Sequence, residues 1–179
     1  MAVDVMLDIE TLATSPDAVV VTFGAVKFNP FGNTVDGDKS IYFRIEVDEQ
    51  IRLGRCVNND TVLWWEKQAP AIREEAFGEG NRVSLEHFTS QLNRFLVGTD
   101  RIWAQGPVFD IVILENLYRQ LQKPAPWLYY NIRDSRTLLK ALGDDRVAGK
   151  VGLHNALEDC ISQAQAVQSA LKRHNLQTA

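Results

Sequence analysis

A chain of 179 residues, 45% hydrophobic and 23% charged, reads as one ordinary globular domain, 1–179, long enough to bury a core. Its formal net charge of -4 argues against coating nucleic acid with bulk positive charge, but not against holding it at one site through metal ions. The apolar runs are far too short for a bilayer, no signal-peptide pattern precedes the first strand, and Cys56 and Cys160 have neither metal-ligand nor disulfide spacing; a cytoplasmic protein with no membrane partner is expected.

Residues 2–11 predict a strand. Within "VDVMLDIETL", Val3, Val5, Leu7 and Ile9 take one face and Asp4, Met6, Asp8 and Glu10 the other, because side chains alternate across a pleat. "DAVVVTFGAVKFNP" predicts a second strand, ended by Asn29-Pro30. "IYFRIEV" predicts a third, joined to it as a hairpin through a long turn-rich loop. "NNDTVLWWEKQ" predicts a short helix capped by Asn59 or Asp60 and stopped by Pro70. The clearest amphipathic helix is "SLEHFTSQLNRFLVG": Ser84 caps it, Gly98 stops it, and Leu85, Phe88, Leu92, Phe95 and Leu96 form its apolar stripe. "RIWAQG" predicts a short strand and 107–122 a helix. "LYYNIRD" predicts a fifth strand, "SRTLLKALG" a helix, and "NALEDCISQAQAVQSALKRHN" a long final helix. Leading strands followed by alternating helices and strands predict an α/β fold, a mixed five-stranded sheet flanked by helices, with its site at strand ends.

Asp8 and Glu10 sit two residues apart on one face, close enough to repel. Water on an exposed strand face would relieve them, and so would a cation. Asp110 falls in the first turn of the helix that Pro107 opens, a place where the macrodipole alone favours an acid. In "GLHNALEDC", Asn155 and Glu158 have the spacing of a capping box, Asp159 lies in the first full turn, and His154 stands just before the helix. A spacing of five is about 140° out of phase on a helix turning ~100° per residue, so His154 and Asp159 converge only if His154 is off the helix. Each acid has an ordinary explanation when taken singly. Together, four carboxylates and one imidazole are a sufficient set for hydrolysing a phosphodiester with hard divalent cations and a general base.

"DIET" at 8–11, "FD" at 109–110 and "HNALED" at 154–159 resemble the three motifs of the DEDDh exonucleases, the DnaQ-like 3′–5′ exonucleases on an RNase H-like fold. "TVLWWEKQ" and "RDSRTL" resemble the branch of phage DexA-type exonucleases and mycobacterial-type exoribonucleases. The resemblance implies two Mg²⁺ or Mn²⁺ ions held by Asp8, Glu10, Asp110 and Asp159, with His154 as general base. It implies release of nucleoside 5′-monophosphates from a free 3′ end of DNA or RNA, by a bacterial or phage-encoded enzyme. It places the backbone of Thr11 and Leu12 against the terminal nucleotide, with Leu12 as a wedge on its base.

Phe109 is placed to stack on a base or sugar, or to pack in the core. Trp64 and Trp65 point about 100° apart on a helix, so one can be core and the other exposed for stacking; a subunit contact, and with it a homodimer, is the other use of such aromatics. Asp134 is either a fifth acid near the site or a helix cap, and Arg133 and Arg136 either bind phosphate or are solvated. Two rival readings stand beside the exonuclease: an RNase H-like endonuclease that does not need the His154 spacing, and a non-catalytic nucleic-acid-binding module on the same fold.

Overall fold

A computed structural model describes residues 3–78, 80–143 and 155–176. The alternating segment at the start of the chain forms β1 (Asp4–Thr11), and the apolar run after it forms β2 (Val20–Phe28). β1 and β2 pair antiparallel, and β2 pairs antiparallel with β3 (Ser40–Ile45), so the long hairpin read from the sequence is present. On the other edge of β1, β5 (Arg101–Ala104) and then β6 (Ile132–Asp134) run parallel. The sheet is mixed α/β as expected but has six strands, in the order β4-β3-β2-β1-β5-β6. The additional one, β4 (Arg82–Val83), is two residues long, too short to leave a periodic trace in sequence. "LYYNIRD" supplies only three strand residues, because Tyr129–Asn131 turns as a 3₁₀ segment first.

The helices are α1 (Val47–Arg52), α2 (Asn59–Glu66), α3 (Pro70–Phe77), α4 (Leu85–Phe95), α5 (Pro107–Gln120), α6 (Ser135–Ala141) and α7 (Ala156–Arg173). Asn58, not Asn59 or Asp60, caps α2: its side chain accepts from the backbone N–H groups of Asp60 and Thr61. Pro70 both ends the preceding helix and opens α3, since a missing N–H is harmless in a first turn. Ser84 caps α4 as expected, accepting from His87 N.

Both faces of the sheet are covered. Val5, Leu7 and Ile9 pack with Phe88 and Leu92 of α4 and Ile113 and Leu117 of α5. Met6, Val26 and Phe28 pack against Cys160, Ala164 and Val167 of α7. The face that carries Asp4, Asp8 and Glu10 is therefore not an open, wet strand face. A smaller apolar cluster of Leu12, Val19, Val21, Trp65 and Ala76 anchors α2 and α3 at the end of β1.

Candidate active site

Three carboxylates converge where α7 starts above the sheet. Oxygen atoms of Asp8, Glu10 and Asp159 lie within 4.8 Å of one another. β1 delivers the first two on one face through its two-residue period. Asn155 starts α7 by accepting from Leu157 N at 3.0 Å and Glu158 N at 3.1 Å, which puts Asp159 in the first turn. A glycine lets this turn sit low. Gly24 is the β2 residue directly paired with Asp8, and a Cβ there would stand 2.4 Å from the carbonyl carbon of Ala156. The Cys160 thiol donates to the carbonyl of Gly24 at 3.2 Å on the same contact. One turn on from Asp159, Gln163 Nε2 donates to Asp8 Oδ1 at 3.1 Å and fixes that carboxylate.

Asp110 reaches the same region from the other side of β1. The parallel pairing of β1 with β5 stops at Met6–Trp103, and the chain leaves β5 into α5. Asp110, in the first turn of α5 and only 4% exposed, accepts the backbone N–H of Ile9 at 3.3 Å. It stands outside the trio whose oxygens mutually approach. It is nevertheless close enough that its charge is the strongest influence on Asp8 after burial.

The electrostatics follow from this packing. Burial, then the charges of Asp110 and Glu10, pushes the Asp8 carboxyl well above the usual carboxylate range, against the opposing Gln163 hydrogen bond. Burial and the charge of Asp159 push Glu10 up to about 8. Burial pushes Asp110 up to about 7, despite the N–H groups it accepts from and the nearby Arg136 cation. Desolvation and like charge act in the same sense, and a hard cation among the oxygens removes both penalties. An all-carboxylate donor set fits a divalent ion such as Mg²⁺ or Mn²⁺ rather than a soft metal.

Beside Glu10 a cleft of about 470 Å³ is lined by Glu10, Thr11, Asn58, Thr61, Trp64 and Phe109, among others. The tryptophan pair divides. Trp64 is 41% exposed and lines the cleft, whereas Trp65 is 3% exposed and donates from Nε1 to the Thr11 carbonyl at 2.9 Å. Leu12 is placed differently from its expected position against a base. Its side chain packs with Val19, Val21 and Trp65, its N–H donates to Val19 O, and its carbonyl accepts from Asn58 N. The hydroxyl of Thr11 is likewise turned inward, donating to Ala13 O. Asp134 is the cap of α6, accepting from Arg136 N. Arg133 is spent on the carbonyls of Tyr130 and Ile132. His154 lies outside the described residues.

Gly24 and Gln163 were not among the residues singled out from sequence. An isolated glycine within the apolar run of β2 was the available signal for the first, since such a glycine marks a close backbone approach. Gln163 left none, because one polar residue among many on a helix is unremarked until its neighbour across space is known.

A family model for the Rv2179c-like 3′–5′ exoribonuclease domain matches residues 3–171. The chain belongs to this family. Among characterised proteins, an exodeoxyribonuclease of enterobacteria phage T4 is 25% identical over 162 residues, covering 78% of this chain and 71% of that one. The fold matches an exonuclease I from Methylocaldum szegediense with TM-score 0.68 at 15% identity, over 98% of this chain and 41% of that one. It also matches an E. coli exonuclease I complex with single-stranded DNA in its zinc-bound form, with TM-score 0.70 at 16% identity, over 98% and 42%. The chain thus spans about two fifths of the length of these solved exonucleases. Family membership and fold bear out the DnaQ-like 3′–5′ exonuclease assignment and the mixed RNase H-like sheet, and make the protein a nuclease.

Proposed function

We propose that the protein removes nucleoside 5′-monophosphates from the 3′ end of single-stranded or 3′-overhanging DNA or RNA, with two Mg²⁺ or Mn²⁺ ions. The observation that carries this reading is the convergence of Asp8, Glu10 and Asp159, all half-buried, within 4.8 Å, with the Asp8 and Glu10 carboxyls raised in pKa, beside an aromatic-lined cleft. Asp8, Glu10, Asp110 and Asp159 would together hold the ions. When bound, such ions supply an activated water and neutralise charge on the leaving oxygen.

The rest of the mechanism belongs to the chain's own groups. His154 would accept the proton of the attacking water as general base. Gln163 holds Asp8 in register, and the Ile9 N–H does the same for Asp110. Trp64 and Phe109 stack on the terminal base and sugar, with Thr11 beside them in the same cleft; base–aromatic stacking contributes ~1–3 kcal/mol and tolerates any base. The family's description names an exoribonuclease and the T4 relative an exodeoxyribonuclease, so both substrates enter the test.

Two 5′-labelled strands of one sequence, DNA and RNA, are incubated with Mg²⁺ or Mn²⁺, with the native protein, with His154→Ala and with EDTA. A ladder shortening from the 3′ end, abolished by EDTA and strongly reduced in the variant, is expected, and the faster strand names the substrate. Internal cuts indifferent to His154→Ala would replace this reading with the endonuclease. Binding without turnover would replace it with the non-catalytic module. The homodimer suggested by exposed aromatics is a separate proposal: a single 20.2 kDa species in sedimentation would discard it.

A further inference from the structure

We infer that Arg136 is the phosphate-binding residue of this site, gripping the phosphoryl group that leaves as the 5′-phosphate of the released mononucleotide; the inference rests on the exonuclease reading above. Arg136 lies in the first turn of α6, directly after β6, and β6 pairs with β5, whose end leads to Gly106 and α5. Its guanidinium lies face-on to Gly106. The central carbon and both terminal nitrogens stand 3.7, 3.8 and 3.8 Å from where a Cβ of that residue would be. Gly106 is the residue that starts α5, and Asp110 lies in the first turn of that helix.

The cation is not consumed by this neighbourhood. Among the described residues its guanidinium makes no hydrogen bond and no ion pair, and Arg136 is exposed. The neighbouring arginine, Arg133, is committed to two carbonyls. A planar fork of five N–H donors matches the oxygens of a phosphate, and here it is held at the rim of a cluster of carboxylates without being neutralised by one. An anion brought to those carboxylates by bound cations would meet Arg136 beside the start of α5.

The test compares native protein, R136Q and R136K. Binding of a nucleoside 5′-monophosphate and of the same nucleoside is measured by titration calorimetry in Mg²⁺, and initial rates are measured on the labelled strand. R136Q is expected to weaken monophosphate binding by about 10-fold or more, leave the nucleoside unchanged, and lower kcat/KM by a similar factor. R136K, a point charge without the fork, should fall between. Melting temperatures should agree across the three, since the side chain makes no bonds to lose. Monophosphate binding and kcat/KM unchanged in R136Q, or equal losses for nucleoside and monophosphate, would overturn the assignment while leaving an active native enzyme intact. A native protein that releases no mononucleotide would instead overturn the exonuclease reading on which it rests.

Discussion

The two ends of β1 place the same chemical group in opposite company. Asp4, at the start, is fully buried, yet Trp103 Nε1 donates to it at 2.6 Å and Arg101 Nε lies 3.0 Å from it. Asp8 and Glu10, on the same face of the same strand, are surrounded by Asp159, Asp110 and Glu75. Burial raises all of them; at the first end an indole N–H and a guanidinium oppose it, whereas at the other the charges of neighbouring carboxylates add to it. A buried carboxylate answered by the protein is structural. A group of them answered by one another stores repulsion that a divalent ion relieves, and that is how a binding site differs from a core.

The sharpest way to break this comparison is to remove one acid from each end. Asp8→Asn should cut nuclease activity by ~10³-fold or more, about 4 kcal/mol of barrier, while raising the melting temperature of the metal-free protein because a repelling charge is gone. Asp4→Ala should do the reverse, leaving activity near native below the melting point. It should destabilise by about 3 kcal/mol, since Arg101 and a buried indole N–H lose their partner. Rate assays with thermal melts on both variants decide it, and equal effects on activity would erase the distinction.

Gly24→Val tests the seating of α7 that completes the acidic end. A Cβ 2.4 Å from the Ala156 backbone must push the helix off the sheet. A loss of about 3 kcal/mol from overpacking is expected, together with weaker Mn²⁺ binding; native metal affinity in a folded variant would show that α7 is not held by this contact.

The pH dependence sharpens the comparison further. Glu10 and Asp110 have folded pKa values of about 8 and about 7, above their ordinary values of 4.5 and 3.8. Between those limits the folded state binds more protons than the unfolded chain, so stability of the metal-free protein falls as pH rises from about 4 to about 8. A bound Mg²⁺ would favour the charged folded form, so the rise in melting temperature it gives should grow over the same interval. A flat profile without metal would contradict the repulsion described. The smallest effect expected is at the cleft: Trp64→Ala should raise KM by about 10-fold, within the ~1–3 kcal/mol of a stacked base, at unchanged stability. Trp65→Ala should instead destabilise by about 3 kcal/mol, as differential melting of the pair would show.

Local chemistry made much of this protein legible from sequence. The alternation that puts Asp8 beside Glu10, the caps at Ser84, Asn155 and Asp134, and the helix opened by Pro107 are all rules of near neighbours, and each is present in the structure. So is the order of the motifs that resemble the exonucleases. What the sequence could not determine depends on residues far apart in the chain. Whether the Asp8 face was wet or covered depended on α7, more than 140 residues away. Which tryptophan was exposed depended on Thr11 accepting the Trp65 indole, and Leu12 became core because Val19 and Val21 return beside it. The sequence by itself specified the longer strands, the caps at Ser84, Asn155 and Asp134 and the identity of the acids, because these follow from periodicity and side-chain chemistry. Only the tertiary structure decided that three of those acids share one point, with Asp110 beside them and Gly24 making room, because proximity is created when helices pack on a sheet.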